Sequence, residues 1–327
     1  MNRRRCVGAA LFLAGLLLGG CATPSHRATD AVSDALEPMP VPPTTTTQPA
    51  RSAPPCDPTA SFRPMDPLPA PGQMPAGSTM AAIQRQGHLV VGVDQTTLLF
   101  GYRDPRTGEI QGFDIDVAHE IARAIFGDPN AIELHALNST DRLPAVENET
   151  VDMVVSQVSM TCARWQDLDF SSVYYLAHQA LLVKPDSGIA GIPDLEGKTV
   201  CVTKGSTSED NIKALLKQEN INAEIDEVGS RADCLVHLQE GTADAITSDD
   251  TILAGFHLQD PLTQILDKSL HDEPYAIAIP QGDEDFVRFV NGVLDEMRSD
   301  GRWQAIDEKW LSELGPAQSP PAPTYKD

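Results

Sequence analysis

Positive charge is scarce in this chain. Twenty-four Lys and Arg stand against 47 Asp and Glu, a formal net charge of −23 over 327 residues. So acidic a surface argues against nucleic-acid binding and against flat docking on anionic lipid, since both need a basic face. It leaves an anionic ligand possible, because a cleft can hold its own cations. Long apolar runs are missing too. The run over residues 7–18 falls short of the roughly 20 residues that span a bilayer. The eight histidines form no motif and the cysteines show no zinc spacing, so neither metal nor cofactor is expected. No nucleophile stands beside a base in any motif, which argues against an enzyme.

What is present begins at the amino end. Arg3, Arg4 and Arg5 precede the short apolar run, so residues 1–20 read as a secretory signal peptide. Leu18-Gly19-Gly20-Cys21 then reads as a lipoprotein cleavage site with Cys21 as the lipidated residue; ordinary secretion is the alternative. Several acyl chains on Cys21 would give stable anchoring on the extracytoplasmic face of the cell membrane. Residues 21–78 are rich in Pro, Thr, Ala and Ser, which predicts a disordered or extended tether. Residues 314–327 read as a Pro-rich tail. In an exported chain, Cys56, Cys162, Cys201 and Cys234 favour disulfides over free buried thiols. Cys201 and Cys234 lie in neighbouring strand and helix segments of one lobe and are paired here; Cys56 with Cys162 follows by elimination.

Between the ends, strand and helix patterns alternate, which indicates parallel sheets covered by helices. Strand LVVGV (89–93) precedes an amphipathic helix at 112–125, and a second series restarts after residue 184. The segment PYAIAIP (274–280) follows that series. This order predicts two α/β lobes, 79–182 plus 276–313 and 183–275, joined by a two-strand hinge with a ligand cleft between them.

The helix segment GFDIDVAHEIARAI (112–125) closely resembles the signature of the polar amino-acid family of extracellular solute-binding proteins, family 3. The resemblance covers 85–313 and implies the type II periplasmic-binding-protein fold. Asp114 and Asp116 suit the helix dipole, and Ile115, Ala118, Ile121, Ala122 and Ile125 make an apolar face, so the signature itself reads as scaffold. SQVSMTCAR (156–164) is similar to the family segment that ends in the arginine gripping the ligand α-carboxylate, which places Arg164 in that role. A guanidinium can bind a carboxylate through two parallel bonds. By the same resemblance Ser159 and the backbone near Ser156 orient the ligand, Thr207 in KGSTSEDN (204–211) adds a hydroxyl, and Asp249 in ADAITSDDTILAGF (243–256) takes the α-ammonium. Thr207 or Ser208 is expected to cap its helix.

The side-chain end is less determined. Lys204 would favour glutamate or aspartate; Asp94 would favour glutamine, asparagine or a basic amino acid, or would merely shape its loop. Gln157 could serve an amide or a carboxylate, or simply pack. Thr97 stands where many members place a stacking aromatic; Phe100 is expected in the core and Tyr102 over the cleft. The second series looks most like glutamate- and aspartate-type receptors, and like actinobacterial members described as glutamine-binding lipoproteins. The resemblance implies a monomeric receptor that hands a small polar amino acid to an ABC permease. A sensor reporting to another membrane partner and a dehydratase-like enzyme are the alternatives.

Overall fold

The computed structural model describes residues 56–266 and 268–327; the expected signal peptide, the expected lipidation site Cys21 and the expected tether up to residue 55 lie outside the described residues. A short strand, β1 (Ala60–Ser61), precedes helix α1 (Thr79–Gln86). β2 (Leu89–Val93) is buried at four of its five positions, as a central parallel strand requires. A small antiparallel sheet follows, made of β3 (Thr96–Thr97), β4 (Gly101–Arg103) and β5 (Ile110–Gln111). Then come α2 (Phe113–Phe126), β6 (Ile132–Ala136), α3 (Arg142–Glu147), β7 (Met153–Ser159) and β8 (Leu168–Phe170). β9 (Tyr175–Val183) opens the second series: β10 (Thr199–Thr203), α4 (Thr207–Glu219), β11 (Glu224–Val228), α5 (Arg231–Glu240), β12 (Ala245–Asp249), α6 (Asp250–Gln259) and β13 (Gln264–Ile265). β14 (His271–Pro280) returns the chain to α7 (Glu284–Asp300), α8 (Arg302–Leu311) and β15 (Thr324–Tyr325).

The main sheet runs β11-β10-β12-β9-β14-β7-β2-β6. β2 is parallel to β6 and β7, and β10 is parallel to β11 and β12. β9 and β14 cross between the two halves, antiparallel, with Tyr175 opposite Tyr275 and Gln179 opposite His271. The far half of β9 pairs with β12, and the far half of β14 pairs with β7. The first crossing therefore falls earlier than the expected boundary at 182. Ala180 and Leu182 pack on Cys201 and Phe256, while Leu181 and Val183 pack on Val200 and Ile212, all in the second lobe. The run ALLV is apolar on both faces throughout, so its pattern hides the point where the lobe changes.

The glycine of the helix signature has a steric reason. Gly112 has φ 143°, and a Cβ there would sit 2.1 Å from the Phe100 carbonyl oxygen. Only glycine lets α2 start this close to the hairpin. Behind it Phe100, Phe113, Tyr174, Tyr175, Tyr275 and Trp303 form one aromatic cluster at the base of the hinge, with centroids 5.3–6.4 Å apart. Such contacts contribute about 0.5–1.5 kcal/mol each beyond their buried area. Phe100 is core, as expected.

Both terminal segments depart from the expected tether and tail. From residue 56 the chain is packed on the first lobe. β1 pairs with β15, Trp165 Nε1 donates to the Pro58 carbonyl at 2.9 Å, and Asn291 Nδ2 donates to Ser61 Oγ and the Phe62 carbonyl at 2.9 and 2.7 Å. Lys326 lies over the Trp165 and Phe62 rings at 3.6 and 3.9 Å. Proline-rich composition reports the lack of a self-sufficient core; it does not report docking on a neighbour's surface. Cys56 bonds to Cys162 with Cα atoms 6.0 Å apart, and Cys201 to Cys234 with Cα atoms 5.5 Å apart, both within disulfide geometry. Among the described residues no helix is long and apolar enough to cross a membrane.

Candidate functional site

The lobes meet along the carboxyl ends of their parallel strands. A cavity of about 250 Å³ lies there, lined by Asp94 and Thr96 just beyond β2, Asn138 and Ser139 just beyond β6, and Ser230 and Arg231 just beyond β11. That is just below the roughly 300 Å³ at which small-molecule sites begin, so the space as it stands limits any occupant to a very small molecule.

At one end of the interface, β7 and the turn after it supply Ser159 and Arg164 from the first lobe. Arg164 Nη1 donates to the Ser159 carbonyl at 2.7 Å, and Nη2 donates to the Gly205 carbonyl of the second lobe at 3.4 Å. A guanidinium has five N–H donors, so several stay free for a carboxylate. Burial lowers the Arg164 pKa, and the nearby Glu273 and Asp249 carboxylates oppose that shift. From the second lobe come Thr207, opening α4, and Asp249, ending β12. Thr207 Oγ1 donates to Glu273 Oε2 at 2.7 Å and lies 3.5 Å from Ser159 Oγ. Asp249 accepts from Tyr275 Oη at 2.6 Å and from Ser208 Oγ at 3.1 Å. The structure thus brings together Ser159, Arg164, Thr207 and Asp249. The cap of α4 is Ser206, which accepts from the Glu209 N–H at 3.2 Å, and not Thr207 or Ser208. That shift by one residue releases both hydroxyls toward the interface.

The other end is occupied by the protein's own groups. Asp94 is buried, accepts from Thr96 Oγ1 at 2.8 Å, and pairs with Arg231 of α5 at 3.2 Å. Arg231 also donates to Thr97 Oγ1 at 3.1 Å and to Gln157 Oε1. Gln157 gives its Nε2 to Asp114, so both ends of its amide are engaged within the protein, which accords with the packing alternative rather than with the ligand-binding one. It sits at φ +46°, a conformation rare outside glycine, held by its own N–H on Asp114 at 3.1 Å. Asp114 lies in the first turn of α2, as the helix dipole favours, and is also fully buried within this network. Burial pushes its pKa up to about 7 against the hydrogen bonds from Tyr174 and Gln157. Ser156 acts through its carbonyl, which accepts from Arg142. Lys204 is exposed, with no side-chain partner among the described residues, and is not drawn into the site. Tyr102 is half-buried on β4 and makes no side-chain hydrogen bond there.

Three residues in this network were not anticipated from the sequence. Arg231 and Arg142 are each the first residue of a helix, where the dipole disfavours a cation. That misplacement is a readable signal that something else holds them. Arg142 is buried, and burial with Arg231 and Arg164 nearby lowers its pKa to about 9. Glu273 on β14 is buried too; burial, and then the charge of Asp249, push its pKa up to about 7. It accepts from Thr207 and, at 2.9 Å, from Asn211 Nδ2, tying the hinge strand to α4. Nothing in its local sequence announces this.

The sequence of bacterial extracellular solute-binding proteins, family 3, matches residues 89–313. The chain belongs to this family. Its fold is the type II periplasmic-binding-protein fold, and like the family it is a solute-binding protein and not an enzyme, which removes the dehydratase alternative. It is 38% identical to the ABC transporter glutamine-binding protein GlnH of Bacillus subtilis (strain 168) over 236 residues, 72% of this chain and 85% of that protein. It is 40% identical to the glutamine-binding protein of Geobacillus stearothermophilus over 201 residues, 61% of this chain and 75% of that one. Among solved structures, an ancestral arginine-binding protein bound to glutamine matches with a TM-score of 0.63 and 30% identity, covering 69% of this chain and 98% of that one. Ser159, Arg164, Thr207 and Asp249, and the Asp94–Arg231 pair, lie between the lobes.

Proposed function

We propose that this protein is a lipid-anchored, extracytoplasmic receptor that captures a neutral polar amino acid of the glutamine type and delivers it to an ABC permease. The observation that carries the reading is the meeting of Arg164 and Ser159 from one lobe with Thr207 and Asp249 from the other. Arg164 and Thr207 would hold the α-carboxylate, and Asp249 the α-ammonium. Because these groups belong to different lobes, a ligand bridging them favours the closed state. For the side chain, Asp94 is charge-balanced by Arg231, and Lys204 is too exposed to serve a distal carboxylate. A neutral amide fits that balance better than an acid or a base. The relatives named for glutamine support the same choice.

Isothermal titration of the mature protein against the common amino acids tests the reading. Glutamine should bind with 1:1 stoichiometry and with the lowest Kd of the panel. Absence of heat for every amino acid up to about 1 mM would defeat it. Anchoring through Cys21 predicts that Cys21→Ser moves the protein from the membrane fraction to the medium.

A further inference from the structure

We propose that Arg231 is a built-in guanidinium: it occupies the side-chain end of the cleft and so excludes basic amino acids from an otherwise cation-ready site. The inference rests on reading the cleft as an amino-acid site. The first lobe offers three acceptors around one point: Asp94 Oδ2 at 3.2 Å from the Arg231 guanidinium, Thr97 Oγ1 at 3.1 Å, and Gln157 Oε1. A carboxylate, an amide oxygen and a hydroxyl converging in a buried space make a guanidinium receptor, since that group is all donor and always charged. Here the occupant is not a ligand. It reaches in from the second lobe and is only 4% exposed.

The position of Arg231 argues that it serves the cleft. It opens α5, where a cation is disfavoured, yet its charge is spent across the interface on the other lobe. It also borders the 250 Å³ cavity together with Asp94. Asp114 completes the arrangement by fixing the opposite end of the Gln157 amide, which aims Oε1 at Arg231. Thr97 fits the same account. A larger side chain there would take the space the guanidinium needs, whereas threonine supplies a hydroxyl acceptor. With Asp94 neutralised, a lysine or arginine ligand would meet a buried cation without a free counter-charge. The remaining N–H donors of Arg231 are suited to a ligand carbonyl oxygen.

Arg231→Ala should therefore vacate a guanidinium-shaped acceptor site. The test uses the mature protein, wild type and Arg231→Ala, titrated with L-glutamine, L-arginine and methylguanidinium. The wild type should bind glutamine and show no arginine binding at 1 mM. Arg231→Ala should bind arginine at least tenfold better than the wild type does and glutamine at least tenfold worse, and the double variant Arg231→Ala/Asp94→Asn should lose the gain. Methylguanidinium should raise the melting temperature of Arg231→Ala and leave the wild type unchanged. If Arg231→Ala is poorly folded, L-arginine or methylguanidinium should restore its cooperative melting, and failure to do so counts against the proposal. The proposal is overturned if the wild type binds arginine as well as glutamine, or if folded Arg231→Ala gains neither arginine binding nor the methylguanidinium shift. If the wild type binds no amino acid, the receptor reading fails, and the methylguanidinium arm still judges the role of Arg231.

Discussion

The two ends of the cleft use the same kinds of side chain in opposite ways. Around Arg164, Thr207 and Asp249, the polar groups carry few internal bonds for the donors and lone pairs they own, and the partners come from both lobes. Around Asp94, Gln157 and Arg231, carboxylate, amide and guanidinium satisfy one another across the interface. On the proposed function the first end takes a ligand's α-groups, which every amino acid shares. The second is already balanced in charge, so what it admits is set by what the balance leaves over. Generality at one end and selectivity at the other thus follow from how much of each group's bonding capacity the protein itself consumes.

The largest expected effect is at the open end. Arg164→Ala should abolish binding of every amino acid, a loss of roughly 2–5 kcal/mol for a charged partner enclosed when the cleft closes on a ligand, and titration calorimetry reads it directly. A variant that still discriminates glutamine from alanine at wild-type affinity would remove the α-carboxylate role. Thr207→Val should cost less, on the order of tenfold in Kd, as expected for one neutral hydrogen bond; equal losses for all amino acids would place it at the shared end, whereas a loss confined to glutamine would move it to the selective one.

The pH response is one property the two ends share. Glu273 and Asp114 both have raised pKa values near 7. A carboxyl held above its unfolded value binds its proton more tightly in the folded state, so its contribution to stability is complete below about pH 4 and is lost as pH rises through about 7. The wild type should accordingly lose melting temperature between about pH 4.5 and 8. Glu273→Gln should flatten part of that decline, by about 2–4 °C for each kcal/mol involved. A slope unchanged in both Glu273→Gln and Asp114→Asn would contradict the burial of these groups. The smallest effect is reserved for Lys204: because its side chain is exposed, Lys204→Ala should change glutamate and glutamine affinity by less than about twofold, the scale of a screened surface charge. A selective loss of glutamate binding would return Lys204 to the site.

Much of the scaffold is legible from local pattern. The spacing of Ile115, Ala118, Ile121, Ala122 and Ile125 predicts α2, and the restart of strand and helix after residue 184 predicts the second lobe. These signals work because periodic burial writes itself into consecutive residues. Arg164, Ser159, Thr207 and Asp249 were reachable through motif resemblance, since each sits at a strand end or helix start whose neighbours carry the pattern. Arg231 and Glu273 were not, because each is defined by a partner far along the chain: Arg231 meets Thr97 across 134 residues, and Glu273 meets Thr207 across 66. The packed segment from residue 56 escaped for the same reason, its order coming from Trp165, Asn291 and β15.

By itself the amino-acid sequence determined the family, the alternation that makes two lobes, and the motif positions of Ser159, Arg164, Thr207 and Asp249, because these depend on local periodicity and short motifs. The tertiary structure decided the crossing points of the hinge, the docking of both terminal segments, and above all the state of the selective end. Asp94 reads from the sequence as either an open acceptor or a loop former; the fold brings Arg231 to within 3.2 Å of it from the opposite lobe, and Asp94 also accepts from Thr96 in its own loop. The charge a ligand meets is a sum over groups that only folding brings together, and no stretch of consecutive residues contains that sum.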